Sequence, residues 1–335
     1  MNLEALAAGL RQSRGLAHKR DIAEVMQTLQ LGAHSNIRVG DDCAAIPDHG
    51  PDGDGWLLLA IEGFQNEFVA AEPAFAGWCG VMVNVSDIYS MGGRPMAVVD
   101  AIWSRDGEHG RSILEGLAAA SRIYGVPVVG GHSNARCDRE QFSVAVLGRA
   151  KSLLTSFDAK PGDVLIAAVD LRGSFREHFS NWDASSGSPA LRLRGDLELL
   201  PQIAEAGLCK AAKDISQAGL LGTALMLLEC SGVGATIKVD AVPMPHGVAA
   251  ERWLLHTFPS YGFLLAVPPK HAADVLMRFE GRGLAAAMIG VCDDTRRLTL
   301  RSGCRDATVW DFHDSIVIGC GPPSTPLEPA ELTHA

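Results

Sequence analysis

Residues 73–93 read PAFAGWCGVMVNVSDIYSMGG. From Glu72-Pro73 to Met91 the residues Phe75, Trp78, Cys79, Met82, Val85 and Tyr89 recur at steps of three and four, which predicts an amphipathic helix. Pro73 suits a first helical turn, and Gly92-Gly93 ends the helix. Ala76 and Gly80 share a side with Asn84, so this face accepts close approach by another backbone. Asp87 falls near the C-terminal end, where the helix dipole disfavours a carboxylate unless a cation offsets it.

On the N-terminal side, Trp56 to Glu62 is a short continuous apolar run stopping at an acid, which predicts a buried strand with Glu62 at its tip. On the C-terminal side come a helical pattern from Arg111 to Tyr124, a strand at Val126–Val129, the run Gly130-Gly131-His132-Ser133 and an alternating strand, Phe142–Leu147. This order predicts an α+β domain rather than a regular βαβ series. Lys160-Pro161-Gly162-Asp163 breaks the pattern and places a junction near 150–162. Beyond it lie a strand over Val164–Val169, a polar, aromatic segment from Phe175 to Leu191 (with Arg176, His178, Trp182 and Asp183), and one helix over Leu191–Leu208 with Pro201 inside it. A strand then enters Lys213-Asp214-Ile215-Ser216, followed by an apolar helix over Leu220–Cys230 and strands near 235–239, 263–267 and 286–291. Trp253 and Tyr261 suit core packing or a substrate loop equally. The boundaries expected are 1–155, 156–320 and a flexible proline-bearing tail, 321–335.

The chain's 335 residues exceed one ordinary core, so length alone favours two domains. With a net charge of -10 and no long Lys/Arg block, composition argues against a nucleic-acid groove. No run approaches the roughly 20 apolar residues of a membrane span, and Met1 to Arg20 lacks a signal peptide's apolar segment, so a cytoplasmic protein is expected. The eight cysteines form no C-x-x-C pair and read as reduced thiols. Cys43 sits beside two acids, which makes its thiol a poor nucleophile.

Four passages place acids beside small residues at the edges of apolar elements: Gly40-Asp41-Asp42-Cys43, Glu62-Gly63, Asn84-Val85-Ser86-Asp87 and Asp214-Ile215-Ser216. Singly, each reads as a turn or cap. Together they suggest a shared pocket in which like charges need a cation, and an all-oxygen site suits Mg²⁺ bridging to phosphates. The glycines of Gly130-Gly131-His132-Ser133 expose amide groups that a phosphate can approach, although an ordinary turn uses the same residues. No Walker loop, strand-following G-x-G-x-x-G, kinase signature, G-x-S-x-G elbow or H-E-x-x-H occurs.

In order, Gly40-Asp41-Asp42-Cys43-Ala44-Ala45, Val83–Ile88 with Met91-Gly92-Gly93, Pro127–Ser133 and Asp214-Ile215-Ser216 resemble the AIR synthase-related, PurM-type ATP-binding superfamily. That group includes thiamine-monophosphate kinase, selenophosphate synthetase, the HypE maturation protein and formylglycinamidine synthase. The resemblance implies a two-domain PurM-like α+β fold, with an N-terminal mixed domain that forms a dimeric barrel and a C-terminal α/β sandwich. It implies ATP and Mg²⁺, with Asp42, Glu62, Asp87 and Asp214 as metal ligands. Asp41, Asn84, Gly130, Gly131 and Ser133 would line the nucleotide, and Asp214 and His132 would take catalytic roles. It also implies a homodimer and a small-molecule acceptor.

The kinases of the group carry T-T-D where this chain has Ala60-Ile61-Glu62, and G-G-D-T where it has Gly130-Gly131-His132-Ser133. Both departures count against thiamine-phosphate kinase activity. Residues 1–42 hold no cysteine to serve a selenophosphate synthetase, Lys19 alone does not replace that residue, and the chain ends Leu332-Thr-His-Ala335 without HypE's cysteine. The expectation is an ATP-dependent kinase or synthase. The rivals are a dimeric nucleotide-binding scaffold or sensor without turnover, and a selenophosphate synthetase-like or HypE-like maturation activity.

Overall fold

The computed structural model describes residues 2–31, 37–50, 53–176 and 179–321. Two helices open the chain, α1 (Leu3–Gln12) and α2 (Arg14–Thr28). The Asn2 side chain accepts from the Ala5 amide, and Ser13 accepts from Leu16, satisfying amides that a helix start leaves free.

The first sheet comprises β1 (Ala44–Gly50), β2 (Gly53–Phe64), β3 (Arg94–Trp103), β4 (Val128–Asn134) and β5 (Gln141–Ala150), in the order β1-β2-β5-β3-β4. Only β3 and β4 pair in parallel, joined through α5 (Gly107–Tyr124). Between β2 and β3 lie α3 (Asn66–Ala71) and α4 (Pro73–Ser90). As the sequence predicts, Pro73 stands at the start of α4, and Gly92 ends it with φ 74°, a left-handed value that glycine adopts without strain. The close approach expected of α4 is two-sided. A Cβ on Gly80 would meet Phe142 and Val144 of β5, while Cβ atoms on Gly77 and Gly116 would lie 1.9 and 1.8 Å from the carbonyl oxygens of Ile113 and Ala74. The α4–α5 crossing therefore admits glycine alone.

One sheet face packs on these helices through Leu58, Ala60, Val98, Phe142, Val144 and Val146. The opposite face is open and apolar: Ile61, Ala145 and Val99 form one cross-strand row, and Leu59, Leu147 and Ala97 the next. Ile61 is 68% and Leu59 48% exposed. This corrects the reading of Trp56–Glu62 as a fully buried strand ending at Glu62. The strand alternates, and it runs on to Phe64.

The second half contributes β6 (Val164–Val169), β7 (Ser174–Phe175), β8 (Asn181–Asp183), α6 (Ala190–Leu197), α7 (Leu199–Glu205), β9 (Ala211–Asp214) and α8 (Gly219–Ser231). There follow β10 (Gly234–Lys238), α9 (Ala250–His256), β11 (Phe258–Pro259), β12 (Gly262–Val267), α10 (Ala272–Glu280), β13 (Ala285–Asp293), β14 (Arg297–Ser302) and β15 (Arg305–Asp311). Seven strands form a sheet ordered β15-β14-β10-β13-β6-β12-β9, and β11-β8-β7 form a small separate one. Leu165, Ala167 and Val169 pack with α1, α8 and α9, while Ile166 and Ala168 pack with α6, α7 and α10. Burial on both faces is why β6 reads as an unbroken apolar run. The single helix expected over Leu191–Leu208 is two, broken at Glu198, with Pro201 in the first turn of α7, where its missing N–H costs no hydrogen bond.

One hydrophobic core runs from Leu58, Met82 and Ile88 of the first half to Leu197, Leu200 and Phe263 of the second. Arg94 on β3 pairs with Glu198 and Glu205 at 2.6 Å each. Arg176 and Ser185 of the polar, aromatic segment belong to the same junction. Arg176 lies 3.8 Å over the Phe75 ring and pairs with Glu72, and Trp78 Nε1 donates to Ser185 Oγ at 2.9 Å. Trp182 and Trp253 are buried edge to face at 5.4 Å, the core role. His178 and the tail from 322 onward lie outside the described residues.

Candidate active site

The segment before β1 carries Asp41, Asp42 and Cys43 into the seam between the two large sheets. Glu62 projects from the helix-facing side of β2, Asp87 from the last turn of α4, and Asp214 ends β9. Asp42 ties the halves together. Its Oδ1 lies 2.5 Å from Lys213 Nζ, and its Oδ2 accepts from the Asp214 amide at 3.1 Å and the Ser90 hydroxyl at 2.6 Å. Asp41 accepts from the Ser156 amide and hydroxyl at 2.9 and 2.7 Å.

Asp42, Glu62, Asp87 and Asp214 lie near enough to one another that their charges interact. Burial pushes Asp87 well above the usual carboxylate range, and Glu62, Asp214 and Asp42 push it further, with Lys19 of α2 opposing. Asp214 is raised to about 8, by burial first and then by Asp42, with Lys213 and Lys19 opposing. Glu62 is raised by burial, against Lys19 and with Asp42. Asp41 is raised to about 6, mainly by burial. Each shift has the same physical origin: clustered negative charge withdrawn from water. Cys43 is buried, its thiol raised by burial and by these same acids, so it is an inert neighbour, as its sequence context predicts.

Asn84 sits one turn before Asp87 on α4, fully buried, with Nδ2 donating to the Gly80 carbonyl at 2.8 Å. Its Oδ1 and Asp87 Oδ2 have no hydrogen-bond partner. Buried polar atoms are nearly always satisfied, so two orphans on one helix face mark a place where something else binds. Among the described residues, no three His, Cys, Asp or Glu side chains form a ready-made metal cage. Mg²⁺ keeps several waters and takes one or two carboxylates together with substrate phosphates, so it does not require such a cage. The oxygen-only donors and the orphaned Asp87 Oδ2 fit such an ion.

The Gly130–Ser133 run is strand rather than flexible turn, lying within the edge strand β4 and exposed throughout. Glu62, Val144, Asp100 and Gly131 form one cross-strand row, so Gly131 stands about 14 Å from Glu62 at ordinary strand spacing. A Cβ on Gly131 would meet Asp100 Oδ2 at 2.6 Å. His132 pairs with Ala101 on the sheet's other face, its ring 5.6 Å from that of Trp103. The structure thus brings together Asp41, Asp42, Glu62, Asn84, Asp87 and Asp214, and leaves Gly130, Gly131, His132 and Ser133 at the far edge of the same sheet. Sequence reading missed Lys213, Ser90 and Ser156. A lysine between Ala212 and Asp214 in an apolar strand was the available signal.

The family description "AIR synthase related protein, N-terminal domain" matches residues 40–150, and its C-terminal counterpart matches residues 160–303. The chain belongs to the AIR synthase related family. An uncharacterized protein of Synechocystis is 45% identical over 321 residues, covering 95% of this chain and 98% of that one. Selenide, water dikinase of Myxococcus xanthus is 28% identical, over 81% of this chain and 88% of its own. Among solved structures, T. maritima PurL complexed with ATP superposes with a TM-score of 0.66 at 20% identity, covering 89% of this chain. The chain spans about half the length of that PurL chain, 48%. The fold expected from the sequence, a two-part PurM-like α+β architecture, is the one found. Among the described residues no helix is long and apolar enough to cross a membrane.

Proposed function

We propose that this AIR synthase related protein is a Mg²⁺-dependent ATP-using enzyme that transfers a phosphoryl group to a small-molecule acceptor, as a kinase or as the activating half-reaction of a synthase. The observation that carries this reading is the carboxylate cluster of buried Asp87 and Asp214 with half-buried Glu62, bounded by Asp42. Burial raises its members first and the neighbouring acids raise them further, and Asp87 Oδ2 is left unpartnered. Such a site is deficient in cations. Relatives that include a dikinase and an ATP-complexed synthase favour a metal–nucleotide as the missing charge.

When bound, Mg²⁺ would neutralise phosphate charge and polarise the transferred group. One or two of Glu62, Asp87 and Asp214 would hold it, with Asn84 beside Asp87 on α4. Lys19, whose charge already acts on all three acids, would offset phosphate charge. Asp214 would orient the acceptor hydroxyl or amide oxygen. As that oxygen bonds to the γ-phosphorus, the bridge to the β-phosphate breaks and ADP leaves with the electron pair, while the proton of a hydroxyl acceptor would pass to the Asp214 carboxylate. Positioning and electrostatics carry such a reaction.

The open apolar face of the first sheet supports pairing with a second copy, face to face, since a monomer rarely leaves so contiguous an apolar patch in water. His132, Trp103 and the edge strand β4 would then lie at or beside that pairing surface. Residues 1–155 and 156–320 would be the two domains, with the carboxylate cluster between them.

The test is ADP release with Mg²⁺ and ATP, challenged with pools that include thiamine monophosphate, formylglycinamidine ribonucleotide and simple amides. Acceptor-stimulated ADP release is the expected result. Bound but unconsumed ATP across all pools would overturn the enzyme reading in favour of a nucleotide sensor.

A further inference from the structure

Lys213 stands within the cluster without a part in the proposed chemistry. It leaves β9 beside Asp214, and its side chain is only 5% exposed. Its ammonium lies 2.5 Å from Asp42 Oδ1 and 3.3 Å from Ser156 Oγ, whose hydroxyl in turn donates to Asp41. With Asp42 Oδ2 taken by the Asp214 amide and the Ser90 hydroxyl, both oxygens of Asp42 are engaged.

The cluster therefore divides. One half, formed by Asp41, Asp42, Ser90 and Ser156, already contains its cation. The other contains the unpartnered Asp87 Oδ2. A metal ion bonded to Asp42 would have to displace the ammonium of a side chain only 5% exposed, leaving a buried charge uncompensated. A lysine held here is a charge that neither dissociates nor exchanges.

We propose that Lys213 is a built-in cation occupying the place of one divalent ion at Asp42, so that the site binds its metal only on the Glu62–Asp87–Asp214 side and works with one ion fewer than its carboxylates would otherwise take. The inference rests on the metal–nucleotide reading above. It changes Asp42 from a metal ligand, as the family resemblance implies, into a positioning residue that anchors Lys213 and, through the Asp214 amide, the end of β9.

Two measurements test it. Crystals of the wild-type protein grown with Mn²⁺ and AMPPCP should show anomalous scattering near Glu62, Asp87 or Asp214, with Lys213 Nζ still on Asp42. A Mn²⁺ bonded to Asp42 with the ammonium displaced would overturn the inference while leaving the nucleotide reading intact. Failure of the wild-type protein to bind Mn²⁺ and AMPPCP at all would overturn both. In solution, Mn²⁺ counted by electron paramagnetic resonance in the presence of AMPPCP should rise by one ion per chain in Lys213→Met. It should return to the wild-type number in the Lys213→Met, Asp42→Asn double variant, which removes both members of the Lys213–Asp42 pair. An unchanged count in a folded Lys213→Met protein contradicts the proposal, and so does an extra ion that survives the Asp42→Asn change.

Discussion

Replacing Asp87 with asparagine should stabilise the ligand-free protein and abolish its response to Mg²⁺-ATP, two effects of opposite sign from one atom. Asp87 is buried at the end of α4, its Oδ2 has no partner, and three acids push its proton affinity up. Because the folded-state value lies above the ordinary 3.8, the folded protein holds this proton longer than the unfolded chain does. The resulting stability is complete below about pH 4 and is lost as pH rises through the folded value. Asparagine mimics the protonated form at every pH. The variant should match the wild type near pH 4 and exceed it at pH 8.5, by the roughly 1–3 kcal/mol that an uncompensated buried polar group costs. With an unfolding entropy of about 2.1 cal/mol/K per residue, or about 0.7 kcal/mol/K for this chain, the gain is about 1.5–4 °C. Saturating ligand at about 100 times its Kd adds about 2.7 kcal/mol to the wild type, or about 4 °C, and should add nothing to the variant. Thermal unfolding of both proteins at the two pH values, with and without Mg²⁺-ATP, reads all of these. A variant less stable than wild type at pH 8.5, or one that keeps the wild-type ligand shift, would refute the reasoning.

Two further outcomes follow from the fold. Gly116→Ala places a methyl group against the Ala74 carbonyl, where the ideal position is 1.8 Å away, so α4 and α5 must separate. A loss on the order of 3 kcal/mol is expected, and an unchanged melting temperature would contradict the crossing. Introducing charge into the open sheet face with Ile61→Asp and Leu147→Asp should convert a wild-type dimer into a 35.5 kDa monomer by light scattering, and a monomeric wild type would remove the pairing proposal.

What the sequence conveys depends on how local the cause is. α4 is legible from end to end because its apolar repeat, Pro73 and Gly92 all act within one helix. β6 is legible because both its faces are buried. β2 misleads because Leu59 and Ile61 are apolar for a different reason from Leu58 and Ala60: they lie on the open face, so an alternating strand reads as a continuous run. The break at Glu198 is hidden because the sequence on either side is helical and Pro201 falls in a first turn, where it is harmless. Within the site, the acids announce themselves by lying beside Gly, Ser or Ala at element edges. Lys213 does not, since its partner Asp42 is 171 positions away and only the docking of β9 onto α4 brings them together. In the run Gly130-Gly131-His132-Ser133 it is strand alternation that the sequence hides: Gly131 shares the face of Asp100 and Glu62, and His132 takes the opposite one.

The central claim is that Glu62, Asp87 and Asp214 form a Mg²⁺-dependent nucleotide site, and calorimetric titration of the wild-type protein and of Asp87→Asn and Asp214→Asn with AMPPCP, with and without Mg²⁺, tests it most directly. The account predicts saturable binding by the wild type that requires Mg²⁺ and is lost in both variants. Equal affinity without Mg²⁺, or wild-type affinity in either folded variant, would contradict it.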